Sequence, residues 1–149
     1  MATIQVGKDG YIICEAGKGS QTHAAVRDAS IGTQLSQTAA SQGSAVMYLA
    51  DRQYVIIRSF FFFDTSGISS AVASVTLNMR GSTNSAADII ALKSTAFGGD
   101  GSADLVAGDF GRTEFSTPYS SEITSWNTNS SYNSISLNST AKTDMQNDD

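Results

Sequence analysis

The chain has 149 residues, of which 15% are charged, with a formal net charge of −5 and an isoelectric point near 4.6. Its nine Lys and Arg residues are scattered without a basic cluster, which excludes a nucleic-acid partner held through its phosphates. No apolar run approaches the roughly 18 residues of a membrane-spanning helix, so we expect no membrane partner. This length fits one domain with its own core.

The composition favours β-structure. There are 23 serines and 14 threonines, and Pro occurs only once. Short β-branched and aromatic segments recur between clusters of Gly, Asn, Asp and Ser, a pattern typical of an antiparallel sandwich or barrel. Strands are predicted near residues 2–6, 11–14, 23–27, 45–50, 54–63, 72–79, 88–92 and 132–137.

Two of these predicted strands alternate cleanly between apolar and polar residues. In AVASVTLNM the apolar residues at 75, 77 and 79 share one face, opposite the polar residues at 74, 76 and 78. In NSISLN the apolar residues at 135 and 137 lie opposite serines and asparagine. Both patterns indicate a half-buried strand with a hydroxyl-rich outer face.

Other segments show little periodicity. The sequence from 17 to 43 is small and polar, so we expect residues 1–43 to hold a short strand and a long loop, or in part an extended arm lying on a neighbour. Helix is predicted for one turn near 105–110 and for a short segment after Asn138 or Ser139, either of which is a suitable N-cap.

The most unusual feature is a row of four phenylalanines: Phe60, Phe61, Phe62 and Phe63. Successive side chains of a strand point to opposite faces, so two rings lie on each face. We expect Phe61 and Phe63 to face the core, each contributing roughly 1.5–3 kcal/mol when buried. Phe60 and Phe62 then pack beneath loops of the same chain or against another subunit.

A family resemblance begins at this row. In IIRSFFFFDTSGISSAVASVTLNMRG, an arginine and a hydrophobic strand ending in Phe-Asp precede a serine turn and a strand of alternating apolar residues. Arg58, Phe63, Asp64 and Ser66 stand at the positions of that pattern, which resembles the signature of DNRLRE-type domains. Those domains are jelly-roll modules also grouped with carbohydrate-binding modules. The later segment AGDFGRTEFSTPYSSEITSWNTNSSYNSISLN is similar to their second half, and the likeness runs from about 45 to 138.

The resemblance implies an all-β fold, an antiparallel jelly-roll β-sandwich with one or two short helical turns, formed by residues 1–149 as a single domain. Such domains generally follow the terminal helix with another strand, whereas this chain ends at QNDD. We therefore expect the last strand to be missing, or to be supplied by a neighbouring chain or by the N-terminal arm.

The titratable residues indicate neither catalysis nor a cofactor. His23, the one histidine, has no Gly-x-Ser-x-Gly elbow to accompany it, and Cys14, the one cysteine, is expected to be a small buried side chain. The three glutamates show no spacing that singles out a catalytic pair. The chain is therefore predicted not to be an enzyme.

A calcium site is the metal hypothesis to consider. Asp100, Asp104 and Asp109 lie in and after the Gly-rich GGDGSAD, and calcium prefers several oxygens from a flexible loop. The spacing and the bidentate glutamate of an EF-hand are absent. The competing interpretation, a solvent loop whose aspartates serve turns, is the one we favour, and no metal is expected.

Three aromatic residues form a candidate platform for a glycan. Tyr119, Trp126 and Tyr132 lie close together in the sequence, and flat aromatic side chains can stack on sugar rings. The competing interpretation places the single tryptophan in the core of a β-sandwich, and we favour it.

Two functions follow from these features. The first is a non-enzymatic structural protein of a bacteriophage particle, a capsid decoration protein or a tail or fibre component, acting through homo-oligomeric and other virion contacts. The start, MATIQVGKDG, carries no export signal, yet the composition resembles that of extracellular proteins, a combination expected for a virion protein made in the host cytoplasm. The alternative is a carbohydrate-binding or adhesive module of a secreted or cell-surface protein.

Overall fold

A computed structural model describes residues 3–15, 22–37, 45–49, 53–68, 70–80, 89–127 and 131–147. The described residues form eight strands and two short α-helices. The strand pairs of the four-stranded sheet are antiparallel, as is the pair formed by Thr76–Arg80 and Tyr132–Ser136. The prediction of an all-β protein with short helical turns is therefore confirmed. Across these ranges, no helix combines the length and the apolar character that crossing a membrane would need.

Two compact units are present, one formed by Met1–Asp64 with Ser94–Thr113 and the other by Thr65–Lys93 with Glu114–Asp149. The expectation that residues 1–149 make a single sandwich domain stays a prediction. Residues 1–43 contribute two strands and a helix to the first unit, and whether part of them is also an arm stays a prediction.

The first unit is built on a four-stranded sheet in the order β2-β1-β4-β3. Its strands are β1 (Lys8–Glu15), β2 (Gln34–Ser36), β3 (Ala45–Leu49) and β4 (Gln53–Phe62). The long central pair runs in register from Lys8 opposite Phe62 to Glu15 opposite Val55. Helix α1 (His23–Arg27) and two 3-10 segments, Ala96–Gly98 and Ala107–Arg112, complete the unit.

The core of the first unit lies on one face of this sheet. β1 and β4 supply Ile12, Cys14, Ile56 and Phe60, all buried. The helix and the 3-10 region add their own buried residues, which are Val26, Ala96, Phe97, Leu105 and Phe110. The sheet therefore has a packed layer on one side, made by the short helical elements.

The second unit contains the longer helix and two strand pairs, except for the end residues Ser94 and Thr113, which belong to the first unit. β5 (Thr76–Arg80) pairs with β8 (Tyr132–Ser136), and β6 (Leu92–Ser94) pairs with β7 (Thr113–Pro118). Helix α2 (Ser139–Asn147) follows, and the Asn138 side chain caps it by accepting a 3.1 Å hydrogen bond from the N–H of Ala141. The predicted C-terminal helix and its asparagine cap are confirmed.

Two predicted strands are wrong. Residues 23–27 form α1, because the Thr22 side chain accepts a 3.2 Å hydrogen bond from the Ala25 N–H and caps a helix in an alanine-containing segment. The strand near 2–6 is absent from described residues 3–6, because pairing with β4 begins only where the Gly7 N–H meets the Phe62 carbonyl.

Other boundaries shift. The strand expected over 72–79 begins at Thr76, and that expected over 88–92 is replaced by a single bridge at Ile89 followed by β6; Asp88 lies outside the described residues. The predicted strands near 11–14, 45–50, 54–63 and 132–137 are confirmed with small changes at their ends, although residue 50 lies outside the described part. β2 and β7 were not predicted.

Candidate interaction surfaces

The phenylalanine row uses both faces of β4, with the opposite phase from the one expected. Phe60 is only 5% exposed within the core, and Phe62 packs against that core. Phe61 is half-buried, and the alternation of the strand places it on the other face. Phe63 follows the end of β4, is half-buried and does not pack against the core cluster. The expectation that Phe61 and Phe63 face the core is therefore wrong, because the helical elements cover the face that carries Phe60.

A glycine-rich loop makes room for the last core-facing ring. A Cβ atom at Gly101 would lie 2.4 Å from Cε1 of Phe62, so no side chain fits at that position. Gly101 also has a φ of +78°, in the left-handed region that favours glycine. The end of the phenylalanine row and the loop after the first 3-10 segment are thus fitted to each other.

The opposite face of the same sheet carries both polar and apolar side chains. Asp9, Glu15 and Ser59 are its polar members, and its five apolar members are Val55, Ile57 and Phe61 on β4 with Tyr11 and Ile13 on β1. Val55 is buried and the other four are half-buried. We call these five residues the second face. None of them belongs to the core cluster formed by the described residues, so this is a separate apolar layer.

Arg58 projects to the core face of β4 between Ile56 and Phe60. Its guanidinium lies 4.0 Å from the centre of the Phe110 ring and donates hydrogen bonds to the backbone carbonyls of Phe110 and Arg27. Burial lowers the pKa of this guanidinium from its usual value. Arg58 therefore ties β4 to the end of α1 and to the second 3-10 segment, which is a structural role.

The three aspartates considered for calcium have separate roles. Asp100 accepts a 2.9 Å hydrogen bond from the Ser102 N–H, and this contact lowers its pKa. Asp104 lies 3.6 Å from the Lys8 ammonium group. Asp109 is buried, and its carboxylate accepts a 3.0 Å hydrogen bond from the Val106 N–H. Within the described ranges no three His, Cys, Asp or Glu side chains are grouped as metal ligands.

A small open pocket lies beside the start of β1. Lys8, which lines this pocket, donates a 2.9 Å hydrogen bond to the Ala103 carbonyl. Its ammonium group also lies near the Asp104 carboxylate, so contacts within the chain already engage it. The residues that line this pocket are Gly7, Lys8, Asp9, Gln37, Phe97 and Asp104. The lining includes two carboxylates, Asp9 and Asp104, and Asp104 lies 3.6 Å from the Lys8 ammonium group.

His23 and Cys14 also have structural surroundings. The His23 ring meets the edge of Tyr54 with 5.8 Å between ring centres. Burial raises the pKa of the Cys14 thiol, although the charge of Arg58 acts in the opposite direction. A raised pKa keeps this thiol protonated and therefore weakly nucleophilic at neutral pH.

The structure divides the three aromatic residues of the expected glycan platform. The Tyr119 hydroxyl donates a 2.6 Å hydrogen bond to the Asp144 carboxylate, and the Tyr119 carbonyl accepts from the Asn138 N–H, beyond the end of β8. Tyr132 begins β8, and that strand alone spans about 13 Å. Tyr119 and Tyr132 therefore do not share one platform.

Trp126 and Tyr132, by contrast, lie beside the same pair of hydrogen bonds between Asn133 and Asn127, which we call the clasp. The Asn133 side chain accepts from the Asn127 N–H at 2.7 Å and donates to the Asn127 carbonyl at 3.0 Å, so it closes the loop before β8. Trp126 precedes this clasp and is half-buried, whereas Tyr132 is 69% exposed. Only Tyr132 presents most of its ring to solvent.

A third arrangement joins three elements of the second unit. Oδ2 of Asp144 on α2 accepts hydrogen bonds from the Tyr119 hydroxyl at 2.6 Å and from Nζ of Lys93 on β6 at 3.0 Å. The hydrogen bond from Tyr119, and after it the contact with Lys93, lowers the pKa of Asp144. This triad fixes α2 in place. It is not predictable from the sequence, because Tyr119 and Lys93 are 25 and 51 residues from Asp144.

Comparisons with known proteins do not identify a family: no protein-family model matches the chain, and neither the curated proteins nor the solved structures contain a significant match. The likeness to DNRLRE-type domains therefore stays a prediction.

Proposed function

We propose that the chain is a non-enzymatic structural protein of a bacteriophage particle, either a capsid decoration protein or a tail or fibre component. It acts through contacts with other virion proteins and with copies of itself. In this proposal the fold is a jelly-roll β-sandwich of the DNRLRE type. The chain is made in the host cytoplasm and faces the environment after assembly.

The observation that carries the proposal is the second face. Tyr11, Ile13, Ile57 and Phe61 keep part of their apolar surface accessible although none of them belongs to the core cluster. The register of β1 and β4 places these side chains on one face, and apolar side chains gathered on one face are typical of a protein contact. A neighbouring subunit that covers this face would stabilise both partners by removing it from water.

The remaining surface suits a particle exposed to its surroundings. The chain has few charges and many hydroxyls, and its net charge of −5 opposes non-specific binding to the packaged nucleic acid. Subunits of such particles commonly assemble with closed symmetry, in which one patch meets the same or a different patch of a copy. The second face is the patch we assign to this contact.

The test combines the oligomeric state with the composition of particles. Light scattering of the full chain after size-exclusion chromatography should show self-association that increases with concentration. Ile57→Thr and Phe61→Ser should weaken that association while circular dichroism stays unchanged. Ile31→Ser is the matched control, because Ile31 is 61% exposed in the same unit but lies outside the second face.

Mass spectrometry of purified particles tests the location independently. The chain should be found in intact bacteriophage particles and should remain with them after washing. A chain that stays monomeric at every concentration and is absent from particles would contradict the proposed function.

A further inference from the structure

Two Asp-Gly dipeptides occur in the chain, Asp9–Gly10 and Asp100–Gly101, and the structure describes both. The backbone nitrogen that follows an aspartate can attack the carboxyl carbon of its side chain, and a glycine at that position places no Cβ in the way. The attack also requires that the backbone turn into the geometry of a five-membered ring. The fold therefore decides which of the two dipeptides can react.

The Asp9–Gly10 dipeptide is held inside the central strand pair. Both residues lie within β1 and are paired in register with β4. Gly10 is buried, and a Cβ there would lie 2.6 Å from Cδ2 of Leu105 and 2.7 Å from the Ser36 carbonyl oxygen. The backbone at this position turns only when the sheet opens, and opening of core strands needs a free energy that approaches that of global unfolding.

The Asp100–Gly101 dipeptide lies in the loop after the first 3-10 segment, where the backbone is less confined. Backbone hydrogen bonds bracket it, donated by the Gly99 N–H before it and by the Ala103 N–H after it. Between them, the peptide that joins Asp100 to Gly101 makes no backbone hydrogen bond with the part of the chain that the structure describes. Asp100 is also exposed. This dipeptide can therefore turn without breaking a strand pair.

The Asp100 carboxyl group is directed along the chain towards the atoms with which it would react. Its Oδ1 accepts a 2.9 Å hydrogen bond from the Ser102 N–H, which closes a small ring of the kind that aspartate forms in turns. The Gly101 nitrogen is a member of that ring. Hydrogen bonds from Ser102 also lower the pKa of Asp100, and the charge of Lys8 acts in the same direction. Mildly acidic conditions therefore favour the reaction, because the carboxyl must be protonated to lose water.

We propose that Asp100–Gly101 is a site of spontaneous isoaspartate formation. The Gly101 nitrogen forms a bond to Cγ of Asp100, and its proton leaves with the carboxyl hydroxyl as water, which gives a succinimide. One water molecule then adds to one of the two carbonyl carbons bound to that nitrogen and breaks its C–N bond. Cleavage at Cγ restores aspartate, whereas cleavage at the main-chain carbonyl gives isoaspartate. Water is the only co-reactant, and the reaction is independent of the second face.

Isoaspartate at this position would disturb the packing of Phe62. The main chain becomes one atom longer just before Gly101, which packs against the Phe62 ring. Beyond it, the Ala103 carbonyl accepts a hydrogen bond from Lys8, so the loop is anchored to β1 on the far side of the added atom. The modified chain should therefore unfold at a lower urea concentration than the unmodified chain.

The experiment is incubation of the full chain for several weeks at pH 6, above its isoelectric point near 4.6, in water enriched in the heavy isotope of oxygen. Peptide mapping by mass spectrometry, with fragmentation that distinguishes aspartate from isoaspartate, follows both dipeptides. Isoaspartate should form at least about tenfold faster at Asp100 than at Asp9. Each newly formed isoaspartate should carry one heavy oxygen atom from the water that opens the succinimide.

Two controls separate the effect of the fold from that of the dipeptide. In concentrated urea the two dipeptides should react at similar rates, because neither is then held in a strand. In the folded Asp100→Glu variant, isoaspartate formation at this position should be lost, since the longer side chain keeps the charge but would have to close a six-membered ring. Circular dichroism shows whether that variant keeps the fold.

Two outcomes would overturn the proposal. Equal rates at Asp9 and Asp100 in the folded chain would show that the fold does not select between the dipeptides. Isoaspartate that forms at Asp100 only in urea would show that the folded loop protects this dipeptide.

The consequence for packing has its own test. Ion-exchange chromatography separates the modified chain, and its urea unfolding is compared with that of unmodified chain from the same incubation. Identical unfolding curves would show that the added atom leaves the Phe62 contact intact.

Discussion

The guanidinium of Arg58 lies 4.0 Å from the centre of the Phe110 ring and donates to the Phe110 carbonyl. It also donates to the carbonyl of Arg27, the last residue of α1. A cation at this position satisfies a carbonyl that the helix leaves unpaired and complements the negative end of its dipole. One side chain thus joins the sheet, the helix and the 3-10 region of the first unit.

Replacing Arg58 with methionine should destabilise the protein by about 2–4 kcal/mol, because the charged hydrogen bonds and the ring contact are lost together. Urea unfolding followed by circular dichroism measures this change. Arg27→Met is the matched control, since the Arg27 side chain pairs with Asp28 at the surface and exposed pairs contribute little. Equal losses of stability in Arg58→Met and Arg27→Met would show that Arg58 does not join the sheet, the helix and the 3-10 region.

Gly101 and Gly99 allow backbone strain to be separated from a steric clash. Both have positive φ, +78° and +90°, but a Cβ at Gly99 meets nothing within 4 Å whereas one at Gly101 meets the Phe62 ring. Gly99→Ala should therefore cost only the left-handed backbone term, about 1–2 kcal/mol. Gly101→Ala should cost clearly more in the same urea titration, and a similar loss in both would mean that the Phe62 ring moves freely.

The strand pattern of the second unit could be predicted because its residues alternate. In β5 and β8 the apolar residues Leu77 and Ile135 face inward and the polar ones face solvent, as the period of two requires. The phase of the phenylalanine row could not be predicted in the same way. All four residues of the row are identical, so alternation reveals two faces without indicating which one the helical elements cover.

Residues 23–27 form a helix and not the predicted strand because of contacts that residues outside the segment make with its two ends. Residues 23–27 include one β-branched side chain, Val26, and were expected to be a strand, but the residue before them decides the structure. Thr22 caps the first turn, and Arg58, 31 residues after Arg27, binds the last carbonyl. The first signal was present in the sequence and was missed. The second depends on a contact that only the folded chain creates.

The candidate sites also depend on contacts that only the folded chain creates. Tyr119, Trp126 and Tyr132 are near one another in the sequence, yet an entire strand separates Tyr119 from Tyr132 in the fold. The Arg80–Tyr132 pair of β5 and β8 joins residues 52 positions apart, and only strand register brings them together. Sequence proximity was therefore a poor guide to shared surfaces, whereas alternation within each strand was a good one.

The corrected phase of the phenylalanine row leads to a stability prediction. Phe60→Ala should destabilise by about 3–5 kcal/mol, because it leaves a cavity in a core from which Phe60 exposes only 5% of its surface. Phe61→Ala should cost clearly less in the isolated subunit, since its ring is half-buried outside that core. Thermal and urea unfolding at low protein concentration measure both. A larger loss of stability for Phe61→Ala than for Phe60→Ala would mean that Phe61 faces the core, as expected from the sequence.

The Tyr119–Asp144–Lys93 triad predicts how stability depends on pH. The hydrogen bond from Tyr119, followed by the contact with Lys93, lowers the pKa of Asp144 in the folded protein, so the unfolded chain binds this proton more readily. The stabilisation is therefore fully present above the unfolded-state pKa of about 3.9 and is lost as pH falls through the lower folded-state value. Urea unfolding at pH 6 and at successive values below pH 4 measures this loss.

Asp144→Asn should remove that part of the acid sensitivity, so the stability difference between wild type and variant should be largest near neutral pH and should shrink below pH 4. Asp28 and Asp100, whose pKa values are also lowered, are present in both proteins, and their effects cancel in the comparison. Asp104→Asn is the control, because 78% of that side chain is exposed. Parallel pH profiles for wild type and Asp144→Asn would mean that the triad does not hold α2 through the charge of Asp144.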